Sequence, residues 1–206
     1  MSTEKMKPPT DKRQNQRLRT RRALLAALRE ILEKGGAPSM EEVADRALVS
    51  RATAYRYYPN IETMILEAGF DAAMPATDDF FAQLSGADVR ERLHRVPELL
   101  FGIVENDEAK FRRFLAATLL DSANALSTGS ERVYRRGGRR FGLLEKALEN
   151  TELEKEQRRK LIRMLALVVG PELFISGVDS CHMERKEIVP AMQWIVDAIW
   201  EKIERE

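Results

Sequence analysis

Apolar residues recur at helical spacing along most of the 206-residue chain. Near the N-terminus they lie at i, i+4, i+7 and i+8, which predicts a helix from about Asn15 to Lys34. The buried face of this helix is predicted to consist of Leu24, Leu28, Ile31 and Leu32. No stretch alternates with period two for long enough to predict a strand. The pattern therefore predicts an all-α protein of about nine helices.

Two short helices joined by a tight turn are predicted next, within residues 39–60. Ser39 and Glu42 have the spacing of a capping box, so the first short helix should begin at the following methionine. Leu48–Val49 is the predicted turn. Ser50 is a second N-cap candidate, and Arg51–Tyr58 is the second short helix, which a proline ends. This arrangement is a helix-turn-helix.

The second short helix carries side chains that suit DNA. Its predicted outward residues are Arg51, Thr53, Tyr55, Arg56 and Tyr57. Guanidinium, hydroxyl and phenol groups can bind phosphate oxygens and base edges, and no acid lies among them. An ordinary helical hairpin with solvated polar residues is the alternative. Three tyrosines beside two arginines within eight positions favour DNA binding.

The segment VADRALVSRATAYRYYPNIETM resembles the recognition motif of the TetR family of bacterial transcriptional regulators. The likeness runs from about Arg17 to Phe70. It implies an N-terminal three-helix helix-turn-helix head and a C-terminal helical body for effector binding and dimerisation. A further helix, Ile61–Ala73, is predicted to join the two. The predicted divisions are a flexible basic arm at 1–14, the head at 15–73 and the body at 74–206.

The chemistry and the resemblance together assign DNA roles to individual residues. Arg51 is predicted to read guanine through O6 and N7. Tyr55 and Tyr57 match family positions that hold phosphates, and Thr53 is expected to contact a base or a phosphate. The predicted DNA-binding residues are Arg17, Ser39, Ser50, Arg51, Ala52, Thr53, Tyr55, Arg56 and Tyr57.

Two positions depart from the family pattern. Leu48 stands where the family usually has glycine, and a left-handed leucine would cost about 1–2 kcal/mol. The turn is therefore expected to have a different shape. Ile61 stands where the family usually has a phosphate-binding lysine, so one DNA contact is expected to be missing.

Charge is distributed unevenly although the net charge is only +1. Residues 1–60 carry 13 Lys or Arg against 7 Asp or Glu, so the remainder is acidic. A basic head on an acidic body fits a DNA-binding protein. Arg17, Arg19, Arg21 and Arg22 crowd the N-terminal half of the first helix, where the helix dipole disfavours cations and a bound phosphate would offset the cost. A solvated basic face, and a solvated tail for the arm, are the alternatives.

The body is predicted to contain a long helix from Thr151, in a Thr-x-x-Glu capping box, to about Val178, bent at Gly170-Pro171-Glu172. The last helix, about Glu184–Ile203, carries more apolar surface than one contact needs. A homodimer through the last two helices is the prediction, and the resemblance implies the same. The predicted dimerisation residues are Leu165, Val169, Leu173, Met192, Ile195 and Ile199. An effector pocket, which rests mostly on the resemblance, would be lined by Phe101, Phe111, Phe114, Thr118, Phe141, Met164 and Phe174, with core packing as the alternative for each.

Other chemistry finds little support in the sequence. His94 is isolated, and His182 beside Cys181 does not match a zinc pattern, so no metal and no cofactor is predicted. No nucleophile elbow, P-loop or dinucleotide fingerprint is present, so no enzyme is predicted. A single cysteine and a polar N-terminus predict a cytoplasmic protein without a membrane span. The expected partners are a palindromic operator, a second copy of the chain and a small-molecule effector. A helical carrier or enzyme with an incidental hairpin, and an architectural DNA protein without effector, remain as alternatives.

Overall fold

The computed structural model describes residues 11–129 and 139–205, with the backbone alone at 11–15. The sequence also predicts a helix at 131–149, and its first part, like most of the predicted arm, lies outside these residues. The described chain is all-α, as predicted, and consists of eleven helices without a strand. In chain order they are α1 Asp11–Glu33, α2 Met40–Arg46, α3 Arg51–Tyr57, α4 Ile61–Ala73, α5 Thr77–Ala82, α6 Val89–Asn106, α7 Glu108–Thr128, α8 Arg139–Ala147, α9 Lys155–Val168, α10 Pro171–Asp179 and α11 Arg185–Glu204.

The chain forms two compact units whose limits differ from the predicted division. Of the described residues, 11–72 and 110–129 form one unit, here the head unit, and 73–109 and 139–205 form the other, the body unit. Most of α7 therefore belongs with the head. The rings of Phe111 and Phe114 explain this, because their centroids lie 5.5 and 5.7 Å from that of Phe70 in α4.

The head unit is built around an apolar cluster from its first four helices. Leu24 and Leu28 of α1 are buried as predicted, whereas Leu32 is half exposed and Leu25 is buried instead. Met64 of α4 and Tyr58 complete the centre of this cluster. Ion pairs between α1 and α4 add to these apolar contacts.

The body unit has its own core, formed mainly by α6, α8, α9 and α11. Leu93, Leu144, Leu161 and Val196 contribute one fully or almost fully buried side chain from each of these helices. Arg92 donates from Nε to the carbonyl oxygen of Ala147 at 2.8 Å, so it closes the C-terminal end of α8.

The long helix predicted from Thr151 to Val178 is two helices. The Thr151 hydroxyl donates to the carbonyl oxygen of Leu148 at 2.8 Å, so Thr151 ends α8 rather than starting α9. Gln157 instead caps α9, because its side-chain oxygen accepts from the backbone N–H of Glu154 at 3.2 Å. α9 and α10 meet at 41°. The predicted bend at Gly170 and the proline after it is therefore a complete break.

A side-chain clamp holds this break. The guanidinium of Arg140 donates to both carboxylate oxygens of Glu172, at 2.8 and 2.7 Å, and to the carbonyl oxygen of Ala166 at 3.0 Å. A Cβ atom on Gly170 would overlap Nη1 of Arg140, so the glycine leaves the space that the guanidinium fills. Arg140 is thus fully engaged by contacts within the body unit.

No single helix among the described residues is both long enough and apolar enough to cross a bilayer. α9 and α10 pass that test only when they are taken together across their break, by length and composition alone. Leu161, Leu165 and Phe174 of this pair are fully buried inside the body unit.

Asp197 of α11 ties α6 to α11 through a polar network. Its carboxylate accepts from Nε of Arg90 at 2.5 Å and lies 2.7 Å from Nε2 of His94. Burial alone would raise the pKa of Asp197, but the hydrogen bonds and charges of Arg90 and then His94 outweigh it and hold the pKa below its usual value. A carboxylate whose folded pKa is depressed stabilises the fold above its unfolded pKa.

Replacing Asp197 with asparagine should therefore destabilise the protein by about 1 kcal/mol at pH 7, because charged hydrogen bonds are lost. The difference from wild type should persist down to about pH 4, the unfolded pKa of aspartate, and close as the pH falls through the lower folded value. Urea unfolding at pH 7 and pH 3.5 measures this. Glu105→Gln, which removes an exposed acid of α6, is the control. If Asp197→Asn lost the same amount of unfolding free energy at both pH values, Asp197 would not have a depressed pKa in the folded protein.

Candidate nucleic-acid interface

The starts of α2 and α3 are fixed by serine caps, as predicted. The Ser39 hydroxyl accepts from the backbone N–H of Glu42 at 3.1 Å, and the Ser50 hydroxyl accepts from the backbone N–H of Thr53 at 3.1 Å. Each serine satisfies a helix-end amide that has no partner within the helix. Both hydroxyls are thus already used inside the protein.

The turn between α2 and α3 has the left-handed form although Leu48 occupies it. The φ angle of Leu48 is +56° and its side chain is 93% exposed. The backbone N–H groups of Leu48 and Val49 donate to the carbonyl oxygens of Asp45 and Ala44, at 3.1 and 3.0 Å. This is the Schellman pattern that usually has glycine at the left-handed position. The expectation of a differently shaped turn was wrong, because these hydrogen bonds hold the leucine in the strained conformation.

Three buried residues anchor α3. Ala54 and Tyr58 are fully buried, and Tyr57 is 5% exposed. All three belong to the apolar cluster of the head unit. The assignment of Tyr57 to the outward face therefore needs correction: its spacing of three from Ala54 places it on the buried side of the helix.

The remaining side chains of α3 form an exposed surface. Arg51, Ala52 and Arg56 are exposed, and Tyr55 is 43% exposed. Thr53 is half-buried, and its hydroxyl lies 2.9 Å from that of Ser50. Four of the five residues predicted to face outward thus remain at least partly accessible, and this surface is basic and aromatic.

Arg51 is held from two sides. Its Nη1 lies 2.6 Å from Oε1 of Glu41 in α2, and its guanidinium lies 5.6 Å from the centroid of the Tyr55 ring. Tyr55, and after it Glu41, raise the pKa of Arg51 above its already high value. Glu41 was missed by sequence reasoning, because only the crossing of α2 and α3 brings it to the arginine.

Asn60 caps α4, and Ile61 begins it. The Asn60 side-chain oxygen accepts from the backbone N–H and from the hydroxyl of Thr63, both at 2.8 Å. Ile61 packs against the apolar cluster of the head unit. At the position where the family usually has a lysine, this chain has a residue that supports the fold.

The arginines of α1 have different surroundings. Arg19 and Arg22 are exposed, and Arg17 is half-buried and interacts with other residues of the chain. Arg21 forms an ion pair with Glu67, whose side chain is fully buried, so it cannot be a phosphate contact. Arg29 likewise pairs with Asp71 at 2.5 Å. These pairs join α1 to α4, and the acids lie too far along the sequence for a local pattern to reveal them.

Residues 23–68, which extend from α1 into α4, match the family described as "Bacterial regulatory proteins, tetR family". This segment is therefore a TetR-family region. The match contains both serine caps, the left-handed turn and the whole exposed surface of α3, so the helix-turn-helix lies within the matched segment.

The likeness to a curated bacterial protein extends into the body. The "Uncharacterized HTH-type transcriptional regulator YdeS" of Bacillus subtilis (strain 168) is 26% identical over 163 residues, which cover 77% of this chain and 80% of the relative. A TetR-family transcriptional regulator is the function that these comparisons support.

The residues predicted to line an effector pocket lie in both units. In the head unit, Phe111 and Thr118 are buried, and the Thr118 hydroxyl donates to the carbonyl oxygen of Leu115 at 2.9 Å. Phe114, also in the head unit, packs against its apolar cluster. In the body unit, Phe101 and Phe174 meet edge to face at 4.7 Å. Phe141 and Met164 of the body unit are both partly exposed.

Two grooves in the body unit are lined by other residues. One of about 410 Å³ lies beside Phe81 and Lys146, and one of about 610 Å³ lies beside Trp200 and Gln157. Both share Arg92 and Asn150. Within the described parts of the chain, no group of three His, Cys, Asp or Glu is arranged to hold a metal ion.

The predicted dimerisation residues also need correction. Leu165, Val169 and Met192 are buried within one chain, so they form the core of the body unit. Leu173, Ile195 and Ile199 are half-buried. The large apolar side chains that remain exposed on the same helices are Met164, Leu167 and Trp194, with Leu167 and Trp194 each 72% exposed.

Replacing Leu48 with glycine should stabilise the protein by about 0.5–1 kcal/mol. Relief of the left-handed strain gains about 1–2 kcal/mol, and the greater freedom of an unfolded glycine returns about 0.4–1 kcal/mol of it. Chemical unfolding of the full chain measures the difference. Leu48→Ala keeps the strain and removes the same exposed side chain, so it should leave stability close to wild type. If Leu48→Gly were less stable than wild type, the left-handed backbone at Leu48 would not be strained.

Proposed function

We propose that this TetR-family regulator is a homodimer that represses transcription by binding a palindromic operator in the cytoplasm. The observation that carries the proposal is the division of α3 into two sides. Ala54, Tyr57 and Tyr58 are buried on one side. The other side leaves Arg51, Tyr55 and Arg56 accessible. A short helix held in this way can enter the major groove of DNA.

The accessible residues divide into base-reading and phosphate-binding groups. Arg51, at the start of α3, is proposed to bind guanine through O6 and N7. Tyr55 and Arg56 are proposed to bind phosphates, as are the exposed arginines Arg19 and Arg22 of α1. In a two-fold dimer the half-sites should lie about one helical turn apart or slightly more. Tyr57 supports the helix from inside and is not proposed as a phosphate ligand.

Dimerisation is proposed through the exposed apolar residues of the body unit. Trp194 of α11 and Leu167 of α9 each leave most of a large side chain in water, and Met164 lies one turn before Leu167. Exposed apolar residues of this size on neighbouring helices are typical of a protein interface. The residues buried beneath them keep these helices in place.

Release from DNA is proposed to depend on a small-molecule effector. The body unit would bind it, with the Phe101–Phe174 pair and Arg185, whose guanidinium lies 5.4 Å from the Phe174 ring centroid, as candidate contacts. An effector that prefers a state mismatched to the two half-sites lowers DNA affinity by its difference in affinity for the two states.

A gel shift with DNA from upstream of the protein's own gene, over a series of salt concentrations, tests the function. A regulator should protect a palindrome and should lose affinity steeply as salt rises. A helical carrier or enzyme would give neither result. An architectural DNA protein would bind but would show no protected palindrome and no release by any compound of an effector library.

Arg51→Ala should weaken operator binding by about 1–3 kcal/mol and relax the preference at one base pair of each half-site. Arg56→Ala is the matched comparison. It removes the same group from the same helix and should weaken binding to operator and unrelated DNA by similar factors. Fluorescence anisotropy with single-base-pair operator variants measures both. Equal losses on all DNA sequences for Arg51→Ala would contradict a base-reading role.

Trp194→Glu should convert the dimer to a monomer, because an interfacial tryptophan commonly contributes about 2 kcal/mol or more and the new charge would be desolvated. Light scattering after size exclusion measures the mass. Leu126→Glu, which places the same charge on an exposed leucine of α7, should remain dimeric. A dimeric Trp194→Glu, or a monomeric wild type, would refute this interface.

A further inference from the structure

An acidic side chain lies on the otherwise basic surface of α3. The carboxylate of Glu41, in the first turn of α2, pairs with Arg51 at 2.6 Å. Both side chains are more than half exposed, so neither is needed to fill the core of the head unit. The guanidinium lies between this carboxylate and the ring of Tyr55, 5.6 Å from its centroid. Exposed ion pairs of this kind contribute little to folding, so the stability of the head unit does not depend on this pair.

We propose that Glu41 is a positioning residue that sets the DNA specificity of Arg51. It holds the guanidinium ready for bidentate contact with a guanine and makes contact with a phosphate alone less favourable. This inference rests on the proposed function and deepens it, because it concerns how the same surface separates an operator from other DNA.

The first part of the argument is preorganisation. A free arginine side chain loses rotamer freedom when it binds a base edge, and that loss reduces affinity. In this structure the ion pair and the tyrosine ring already restrict Arg51 before DNA arrives. Because the guanidinium has five donors, it can keep its partner on one edge while another edge meets guanine O6 and N7.

The second part is selection against phosphates. Non-specific binding depends on attraction between basic side chains and the DNA backbone. Arg51 already has a carboxylate partner, so exchange for a phosphate replaces one anion by another. Glu41 itself repels any phosphate that approaches. A geometric match to a base is therefore needed before Arg51 adds to affinity, and weaker binding to other DNA is the basis of specificity.

Glu41→Gln and Glu42→Gln form a matched pair of variants. The glutamines remove the same charge from adjacent exposed residues of one turn, but only Glu41 is paired with Arg51 among the ion pairs of α3. The first measurement needs no DNA: the NMR signal of the Arg51 Nε–H group reports how far the side chain is held. Its chemical shift should differ from that of a free arginine in wild type and in Glu42→Gln, and it should move towards the free-arginine value in Glu41→Gln.

The second measurement uses a duplex selected by wild-type protein from a random library and a scrambled duplex of equal length. Glu41→Gln should bind the scrambled duplex roughly three- to tenfold more tightly than Glu42→Gln does. Its preference at the guanine read by Arg51 should fall roughly tenfold, and Glu41→Asp should recover most of it. In an Arg51→Ala background, Glu41→Gln should no longer change the base preference.

Two results would overturn the positioning role, and a third would overturn the proposed function. The two glutamine variants could behave alike on both duplexes and in the NMR spectrum. The base preference could still change in the Arg51→Ala background, which would mean that Glu41 itself accepts a hydrogen bond from cytosine. The third result is no selected duplex for wild type. That failure would refute the proposed function, even if the NMR spectra showed that Glu41 holds Arg51, so the two proposals are separable.

Discussion

The burial of one side of α3 is the constraint on which the exposed surface of the helix-turn-helix depends. Seven residues are too few for a helix that is stable in water on its own, so α3 exists because Ala54, Tyr57 and Tyr58 enter the core of the head unit. The same contacts decide which side chains face outward. Ser50 and Leu48 fix where the helix begins, and α1 and α4 support it from behind through the apolar cluster. The chemistry on the exposed side is therefore positioned by packing on the other side.

Local signals in the sequence were sufficient for the head. The serine caps, the first residue of α2 and of α3, and the all-α class follow from residue types at fixed short spacings, and the structure agrees with each. Tyr57 was assigned by its chemistry although its spacing from Ala54 already pointed inward. The helical period over the same eight residues would have separated the buried side chains from the exposed ones.

Contacts between distant parts of the chain could not be predicted in the same way. The partner of Arg21 is Glu67 and the partner of Arg51 is Glu41, and each pair depends on how two helices cross. Leu165, Val169 and Met192 illustrate the same limit in the body. Their apolar character predicted burial, but the sequence alone could not say whether the same chain or a second copy would cover them. The position of α7 within the head unit was missed for the same reason, since aromatic rings separated by some forty residues decide it.

The clamp at the break between α9 and α10 has a consequence for how this chain can vary. A side chain at position 170 would overlap both the Arg140 guanidinium and the Glu172 carboxylate. Arg140, Gly170 and Glu172 are consequently bound to one another as a set. Exchange of the arginine would leave Glu172 without its guanidinium partner, and exchange of the glycine would force the Arg140 side chain to move. Relatives that keep this corner should thus inherit all three residues jointly, while those that lose one should have rebuilt the corner entirely.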